Sequence, residues 1–294
     1  MDAAMTELAK EVVEAIKTFV AESPGNRFAA IDGSPIFVEP LVGFADGDDP
    51  LFRQYKEVVG DFHLTPREVV QMHLKETGGD HEEFGPLTAI SWILPVAEET
   101  RRSNRPMNYG PSVRWNQTRW AGEDFNKTLK KYVVGFLTER GYRALSPGAM
   151  SFTKTLVING VRTSNWSERH IAYAAGLGTF GLTDALITSK GVAHRVGSVL
   201  VEASLPPTPR PYQDHHAYCP YFQDGSCGVC IERCPTGALS ARGHDKIRCH
   251  AHVEQKLASW AQDRKSEGYM GAYPGCGLCM TNVPCEAEIP PACR

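Results

Sequence analysis

Apolar positions change their period several times along this chain, and each change marks an element. Met5, Leu8, Val12, Val13, Ile16, Phe19 and Val20 recur at helical spacing and predict one core-facing helix over 5–20. Gly and Asp punctuate GFADGDDP (43–50), which predicts a surface turn. LTAISWILPV (87–96) is a short apolar run interrupted near its end by a proline, and it fits a buried strand. Residues 101–124 are rich in Arg, Asn, Gly and Trp without periodicity, and read as an irregular segment over a site or partner surface. Phe125, Leu129, Tyr132, Val133, Phe136 and Leu137 predict a second amphipathic helix closed by Gly141. TLVING (155–160) and RVGSVLVEA (195–203) read as strands, and LPPTPRP (205–211) is a proline-rich break. The expected fold is α/β (α+β), with a domain over 1–210 and a separate tail over 211–294.

Composition narrows the class. A chain of 294 residues can bury a large core, and a formal charge of -3 gives no electrostatic footprint for nucleic acid or an anionic membrane. No stretch approaches the run of apolar residues needed to span a bilayer, and the acidic amphipathic start MDAAMTELAKEVVEAIKTFV is not a secretory signal. A cytoplasmic protein is expected. All 9 cysteines fall between Cys219 and Cys293, several as CxxC pairs. In a reducing compartment that distribution favours metal over disulfides.

SCGVCIERCPTGAL (226–239) has the form of a bacterial ferredoxin motif whose first cysteine is missing: Cys227, Cys230, Cys234 and Pro235 fit, but Asp224 stands at the first position. A second run follows as Cys249, Cys276, Cys279 and Cys285. In paired runs the fourth cysteine reaches across to the other cluster. Crossing assigns Cys219, Cys227, Cys230 and Cys285 to one [4Fe-4S] cluster, and Cys249, Cys276, Cys279 and Cys234 to another. PYFQDGS separates Cys219 from Cys227, and Cys285 follows Pro284 rather than preceding a proline. Both departures fall on the same cluster, as a correlated remodelling of one site would produce. The alternative is a zinc site built from the 227/230 and 276/279 pairs. Cys293 reads as a spare thiol or a replacement for Cys285, and His244, His250 and His252 read first as packing or surface residues beside Cys249.

Gly176-Leu-Gly178-Thr-Phe-Gly181 formally matches a dinucleotide-binding fingerprint, which requires a strand before it and a helix after it. SNWSERHIAYAAG instead carries an Asn165/Glu168 pair at capping-box spacing and reads as a helix ending at Gly176, while LTDALIT reads as a turn and strand. A nicotinamide cofactor is therefore disfavoured. The glycines permit close backbone approach to a ligand, or simply make a tight connection.

ERHIAYAAGLGTFGLTDALIT and CGVCIERCPTGAL, with IRCHAHVE at the second run's first cysteine, resemble the epoxyqueuosine reductases and the corrinoid-dependent reductive dehalogenases. The similarity is clearest over 162–285. It implies a nitroreductase-like α/β domain that binds base-off cobalamin, followed by a bacterial-ferredoxin-like domain with two [4Fe-4S] clusters. It also implies an external low-potential donor of ferredoxin or flavodoxin type, and a corrin site lined by the backbone around Gly176, Gly178, Thr179 and Gly181, with strand 195–202 running along it. Aligning on Glu168-Arg169 puts Arg162 where the reductases carry an acidic proton donor, so Arg162 is expected to hold an anionic substrate or stabilise negative charge. Tyr109 is a second candidate proton donor; His170 reads as a structural histidine, and Trp92, Trp115, Trp120 and Trp166 as cavity lining or core. The chain ends soon after the cysteines, without the extension that helps hold transfer RNA, so a small-molecule substrate is expected rather than a nucleic acid. Three functions follow: a cobalamin- and iron–sulfur-dependent reductase, an electron-transfer or corrinoid-handling protein without its own turnover, and a two-cluster ferredoxin fused to a structural domain.

Overall fold

The computed structural model describes residues 3–79 and 84–294. Helix α1 (Ala3–Glu22) turns Leu8, Val12, Ile16 and Val20 inward, as its sequence period requires. Strand β1 (Leu41–Asp46) leads into α2 (Leu51–Val58), and α3 (Pro66–Thr77) starts on a capping box of Thr65 and Glu68. Strand β2 (Leu87–Pro95) is buried at every residue. Helices α4 (Glu98–Asn104) and α5 (Val113–Thr138) follow, then β3 (Ala144–Leu145) and a hairpin of β4 (Thr155–Ile158) and β5 (Val161–Ser164). Helix α6 (Glu168–Ala174), the short pair β6 (Thr179–Phe180) and β7 (Leu186–Ile187), and β8 (His194–Glu202) complete the part before the proline-rich break.

The main sheet is antiparallel with order β1-β2-β8-β3. Alternation along β2 divides the core: Ile90, Trp92 and Leu94 pack toward α1 and α5, while Ala89 and Ile93 pack toward α2, α3 and α6. The result is a mixed α/β fold with helices on both faces of the sheet. Trp92 donates to Asn126 (2.9 Å) and Trp166 to Ser198 (3.1 Å), so both fill core and satisfy their ring N–H.

Beyond residue 211 regular structure is brief: α7 (Pro220–Gln223), α8 (Val229–Glu232), β9 (Leu239–Ser240), β10 (Gly243–His244), α9 (Lys246–Ala251), a π-helix over His252–Lys256, and α10 (Leu257–Gln262). This tail lies along the first turns of α5. Asn116 donates to the Met270 carbonyl (3.1 Å) and accepts from its N–H (2.8 Å), and Gln117 donates to the Gly268 carbonyl. Tyr269 donates its hydroxyl to the Pro111 carbonyl (2.7 Å).

Three sequence expectations are corrected here. The segment 101–124 is not irregular: α4 and α5 occupy most of it, and α5 begins twelve residues before its apolar stripe (113 against 125). Its early turns bury Asn116, Gln117 and Thr118 against the tail, so their polar inner face hid the helical period. The predicted turn over 43–50 is strand as far as Asp46, because Gly43 lets β1 approach α6; a Cβ there would fall 2.3 Å from the Ala175 carbonyl oxygen. The strand over 155–160 is one arm of an exposed hairpin rather than core, with Val157 68% exposed.

Candidate cysteine centre

Cys219, Cys227, Cys230 and Cys285 line one small cavity of about 20 Å³ against Gly181 and Ile187. Three of these come from the turns around α7 and α8, and the fourth arrives from the end of the chain. Burial pushes the Cys230 thiol up to about 11, with Cys219 and Cys227 adding to it. Burial likewise pushes Cys285 up to about 12, helped by Cys230, Cys219 and Cys227. The second set is separate and also mutually close. Cys276 is raised to about 12 by burial, then by Cys249 and Cys234; Cys279 is raised further by burial, then by Cys276, Cys249, Cys230 and Cys234. The influence of Cys230 on Cys279 places the two sets beside each other.

Cys234 departs from this trend. Burial raises it, but hydrogen bonds from the Thr236 hydroxyl and from the backbone of Leu239, Thr236 and Ala238 carry its net shift downward. Backbone N–H groups gathered in this way favour an anionic sulfur. Buried thiols ionise only beside compensating positive charge, which iron in a cluster supplies. Among the described residues, no group of three or more His, Cys, Asp or Glu is set to hold a metal ion, which bears equally on zinc and on iron. The first set instead surrounds a volume. Two sets of four thiols, Cys219 buried and the rest half-buried, one set around a cavity, fit a pair of iron–sulfur clusters.

The displaced Cys285 is held from the sheet side. Val192 donates its N–H to the Cys285 carbonyl (2.8 Å) and Ala193 to that of Glu286 (3.3 Å). Glu286, 5% exposed, accepts from Arg105 Nη2 (2.7 Å), from Arg101 (3.4 Å) and from the Asn282 N–H (2.6 Å). On the tail side, Gly277 sits on Trp115, where a Cβ would fall 2.0 Å from the indole. Arg233 ties the two cysteine runs together by donating to the carbonyls of Leu278 (3.2 Å) and Thr281 (3.1 Å). Cys293 lies near Cys219 and Cys227 but is absent from the cavity lining. Asp224, at the motif's vacant first position, is exposed and accepts from the Ser226 N–H (2.8 Å).

Sequence reasoning missed Glu286 and Asp184. Glu286 adjoins Cys285, and that adjacency was the one signal available. Asp184 carries φ 57° in the turn after the glycine run and has no motif. Its carboxylate meets His244 (3.1 Å) and Lys246 (3.3 Å). Asp184, then Cys249, hold the His244 imidazole up at about 9.

The other predicted site residues lie elsewhere. Gly176 is the left-handed residue (φ 74°) closing α6: its N–H donates to Tyr173 and that of Leu177 to Ala172. Ser167, not Asn165, takes the cap position, while Asn165 binds the Lys154 N–H (2.7 Å). The close approaches at Gly176 and Gly178 are to the protein's own backbone. A Cβ would fall 2.6 Å from the Pro209 oxygen and 2.2 Å from the Ile187 oxygen, respectively. Thr179 is fully buried, and its hydroxyl accepts from Tyr218 N–H (2.9 Å). Gly181 faces the thiol cavity. Gly176, Gly178 and Thr179 are thus packed on the protein's own chain, Gly181 alone of the four lines the thiol cavity, and β8 is buried from Gly197 to Val201.

Arg162 and Tyr109 meet one element from two sides. Arg162 pairs with Glu254 of the π-helix. Tyr109, 44% exposed, accepts at its carbonyl from His252 of the same π-helix (3.1 Å), and its ring stands edge-on to the imidazole at 5.3 Å. His170 is a packing residue, bonded to Ser167 (2.7 Å) and stacked near Phe180.

The fold is shared with solved oxidoreductases. An epoxyqueuosine reductase from Bacillus subtilis superposes with TM-score 0.55 and 17% identity, covering 96% of this chain and 66% of that one. A structure of epoxyqueuosine reductase with an epoxyqueuosine-modified tRNA-Tyr stem loop gives 0.51 and 18%, covering 96% and 66%. A catabolic reductive dehalogenase in complex with 3-bromo-4-hydroxybenzoic acid gives 0.50 and 13%, covering 97% and 38%. The class is thus a mixed α/β fold common to epoxyqueuosine reductases and a reductive dehalogenase. In sequence, the chain is similar to epoxyqueuosine reductases in particular. It is 31% identical to that of Bacillus anthracis over 126 residues, 42% of this chain and 30% of the relative. It is 30% identical to that of Gloeobacter violaceus over 168 residues, 55% and 47% respectively. The matched region spans less than half of the length of either relative. No protein-family model matches the chain. Among the described residues no helix is long and apolar enough to cross a membrane.

Proposed function

We propose that this chain is an oxidoreductase with two [4Fe-4S] clusters, held by Cys219, Cys227, Cys230 and Cys285 and by Cys249, Cys276, Cys279 and Cys234. The carrying observation is that four thiols, one buried and three half-buried, line one cavity, with a second set of four beside it. Likeness to epoxyqueuosine reductases supports the reductase activity and, in general terms, a corrinoid as the group that accepts the electrons; base-off binding is part of this proposal. No step is assigned to the turn 176–181, where Gly176 and Gly178 pack on the protein's own backbone.

The expectation against nucleic acid rested on net charge and on the chain's short reach past the cysteines. The likeness to a reductase solved with a modified tRNA stem loop makes a modified RNA a candidate substrate beside a small molecule. A second reading, electron transfer or corrinoid handling without turnover, is favoured by one observation. Arg162, at the position of the reductases' acid, is engaged by Glu254.

Anaerobic reconstitution with iron and sulfide tests the cluster reading. Visible cluster absorbance and a reduced-state EPR signal support it; a colourless protein that takes up zinc instead overturns it. Adding hydroxocobalamin to the reconstituted protein tests the corrin. A Co(II) signal without nitrogen splitting from the lower base supports base-off binding, and no retained corrin removes cobalamin from the function.

A further inference from the structure

One face of the tail combines features that the proposed clusters alone do not explain. The tip of the β4–β5 hairpin presents Val157, 68% exposed, and Ile158, 40% exposed. Ile247 on α9, 52% exposed, adjoins it: a Cβ on Gly160 at the hairpin turn would fall 3.4 Å from Ile247 Cδ1. The Arg162–Glu254 pair joins the hairpin to the element that continues α9. Beside these aliphatic groups on α9 stand Arg248 and Lys246, the latter paired with Asp184 (3.3 Å). Residues 242–256 hold four Lys or Arg (242, 246, 248, 256) against two acids (Asp245 and Glu254), in a chain whose formal charge is -3.

The face also lies over thiols. Cys249 is on α9 between Arg248 and His250. Arg248 donates to the Gly237 carbonyl (3.3 Å), which puts it over the turn that follows Cys234. Both cysteines belong to the second set. An electron arriving at this face therefore enters next to two of that set's four sulfurs.

We propose that α9 and the β4–β5 tip form the docking surface for an acidic electron-carrier protein of the ferredoxin or flavodoxin class. The inference rests on the cluster reading above and adds to it the port of entry. Electron-transfer complexes are small and transient, so a few exposed aliphatic groups with surrounding charge suffice. The positive rim steers a negatively charged carrier and mainly raises its association rate. A site for unpaired bases would add aromatic platforms on which they stack, and the exposed tip is aliphatic.

The probe is an acidic bacterial flavodoxin in its hydroquinone form, mixed with the oxidised, reconstituted protein in a stopped-flow instrument while cluster absorbance is followed. Oxidised flavodoxin is titrated separately to measure binding. Arg248→Glu should lower the second-order rate at low ionic strength about tenfold and weaken binding in parallel. Val157→Asp, on a hairpin that carries no cysteine, should slow transfer without touching the thiols. Iron content and bleaching by dithionite should match the unsubstituted protein in both variants. Full iron with flavodoxin rates unchanged in both variants overturns the surface alone. So does a transfer-RNA stem loop bound at this face, sensitive to Arg248→Glu, while flavodoxin reacts normally in its presence. A chain that takes up no iron overturns the cluster reading, and the surface with it.

Discussion

Replacing Glu286 by Gln tests how the displaced cysteine is held. The carboxylate is 5% exposed and accepts from Arg105 through Nε (3.1 and 3.2 Å) and Nη2 (2.7 Å), from Arg101, and from the Asn282 N–H. Removing one member of a buried ion pair costs about 3–5 kcal/mol. Two features reduce that here. Glu98 keeps a bond to each arginine, at 2.7 and 2.8 Å, and the Arg105 side chain is 35% exposed. Screening of that kind brings the expected cost to about 2 kcal/mol, a shift of roughly thirtyfold in the opening equilibrium. The loss falls on residues 282–287, which carry Cys285, and the stitching to Val192 and Ala193 is the next contact to give way. The assay is iron per chain before and after chelator challenge, with EPR of the reduced protein. Glu286→Gln should shed half of its iron to a chelator that leaves the unsubstituted protein intact, while the second set's signal persists. Glu98→Gln, on the exposed side of the same arginines, should leave iron content unchanged. If Glu286→Gln keeps all of its iron under challenge, the carboxylate does not position Cys285 and the reasoning fails.

Cys219→Ala and Cys276→Ala should each lose half of the iron, and their residual EPR signals should differ; identical residual spectra would refute the two-set partition. Cys285→Ser should lose iron where Cys293→Ser does not, since only Cys285 lines the cavity; iron analysis of the two variants decides this. Gly277→Ala would drive a Cβ to 2.0 Å from Trp115 at a φ of 69°, so the second set should be lost and the melting temperature should fall. Burial depresses His63 to about 4, His170 to about 3 and His194 to about 4. Between those values and the unfolded pKa near 6.5 the unfolded chain binds more protons, so stability falls as pH falls. Each histidine should cost about 2 kcal/mol on going from pH 7 to pH 5. Thermal melts across that range should show the slope, and His170→Asn should flatten it.

Legibility in the sequence followed physical visibility. The stripe of α1, the buried run of β2 and the strand over 195–203 were readable because burial imposes a period or a continuous apolar run on the residues that make it. The first turns of α5 were not, because their buried face is polar: Asn116 and Gln117 bond the tail backbone, and Trp115 and Trp120 pack on tail glycines. A periodicity argument counts apolar residues, and that helix face buries amides. Spacing and the crossed-run pattern put Cys219, Cys227, Cys230 and Cys285 together, and those four line one cavity in the structure. Glu286 and Asp184 were invisible because an isolated carboxylate carries no pattern; only the fold brings Arg105 to one and His244 to the other.

The two residues read from sequence as candidate chemical groups illustrate the remaining gap. Arg162 and Tyr109 are 53 positions apart in the numbering, yet both grip the π-helix that begins three residues after Cys249, at Glu254 and His252. A π-helical turn widens the spacing of side chains around the axis and often marks a functional position. Here it sends Glu254 to the hairpin and His252 to the segment before α5, so one short element ties both to the second thiol set. An arginine paired across that junction holds the hairpin against the tail, and a tyrosine ring packed on His252 braces the opposite side. Both fix the hairpin and the segment before α5 on the element that follows Cys249, so a change at either contact would be felt first at the second thiol set.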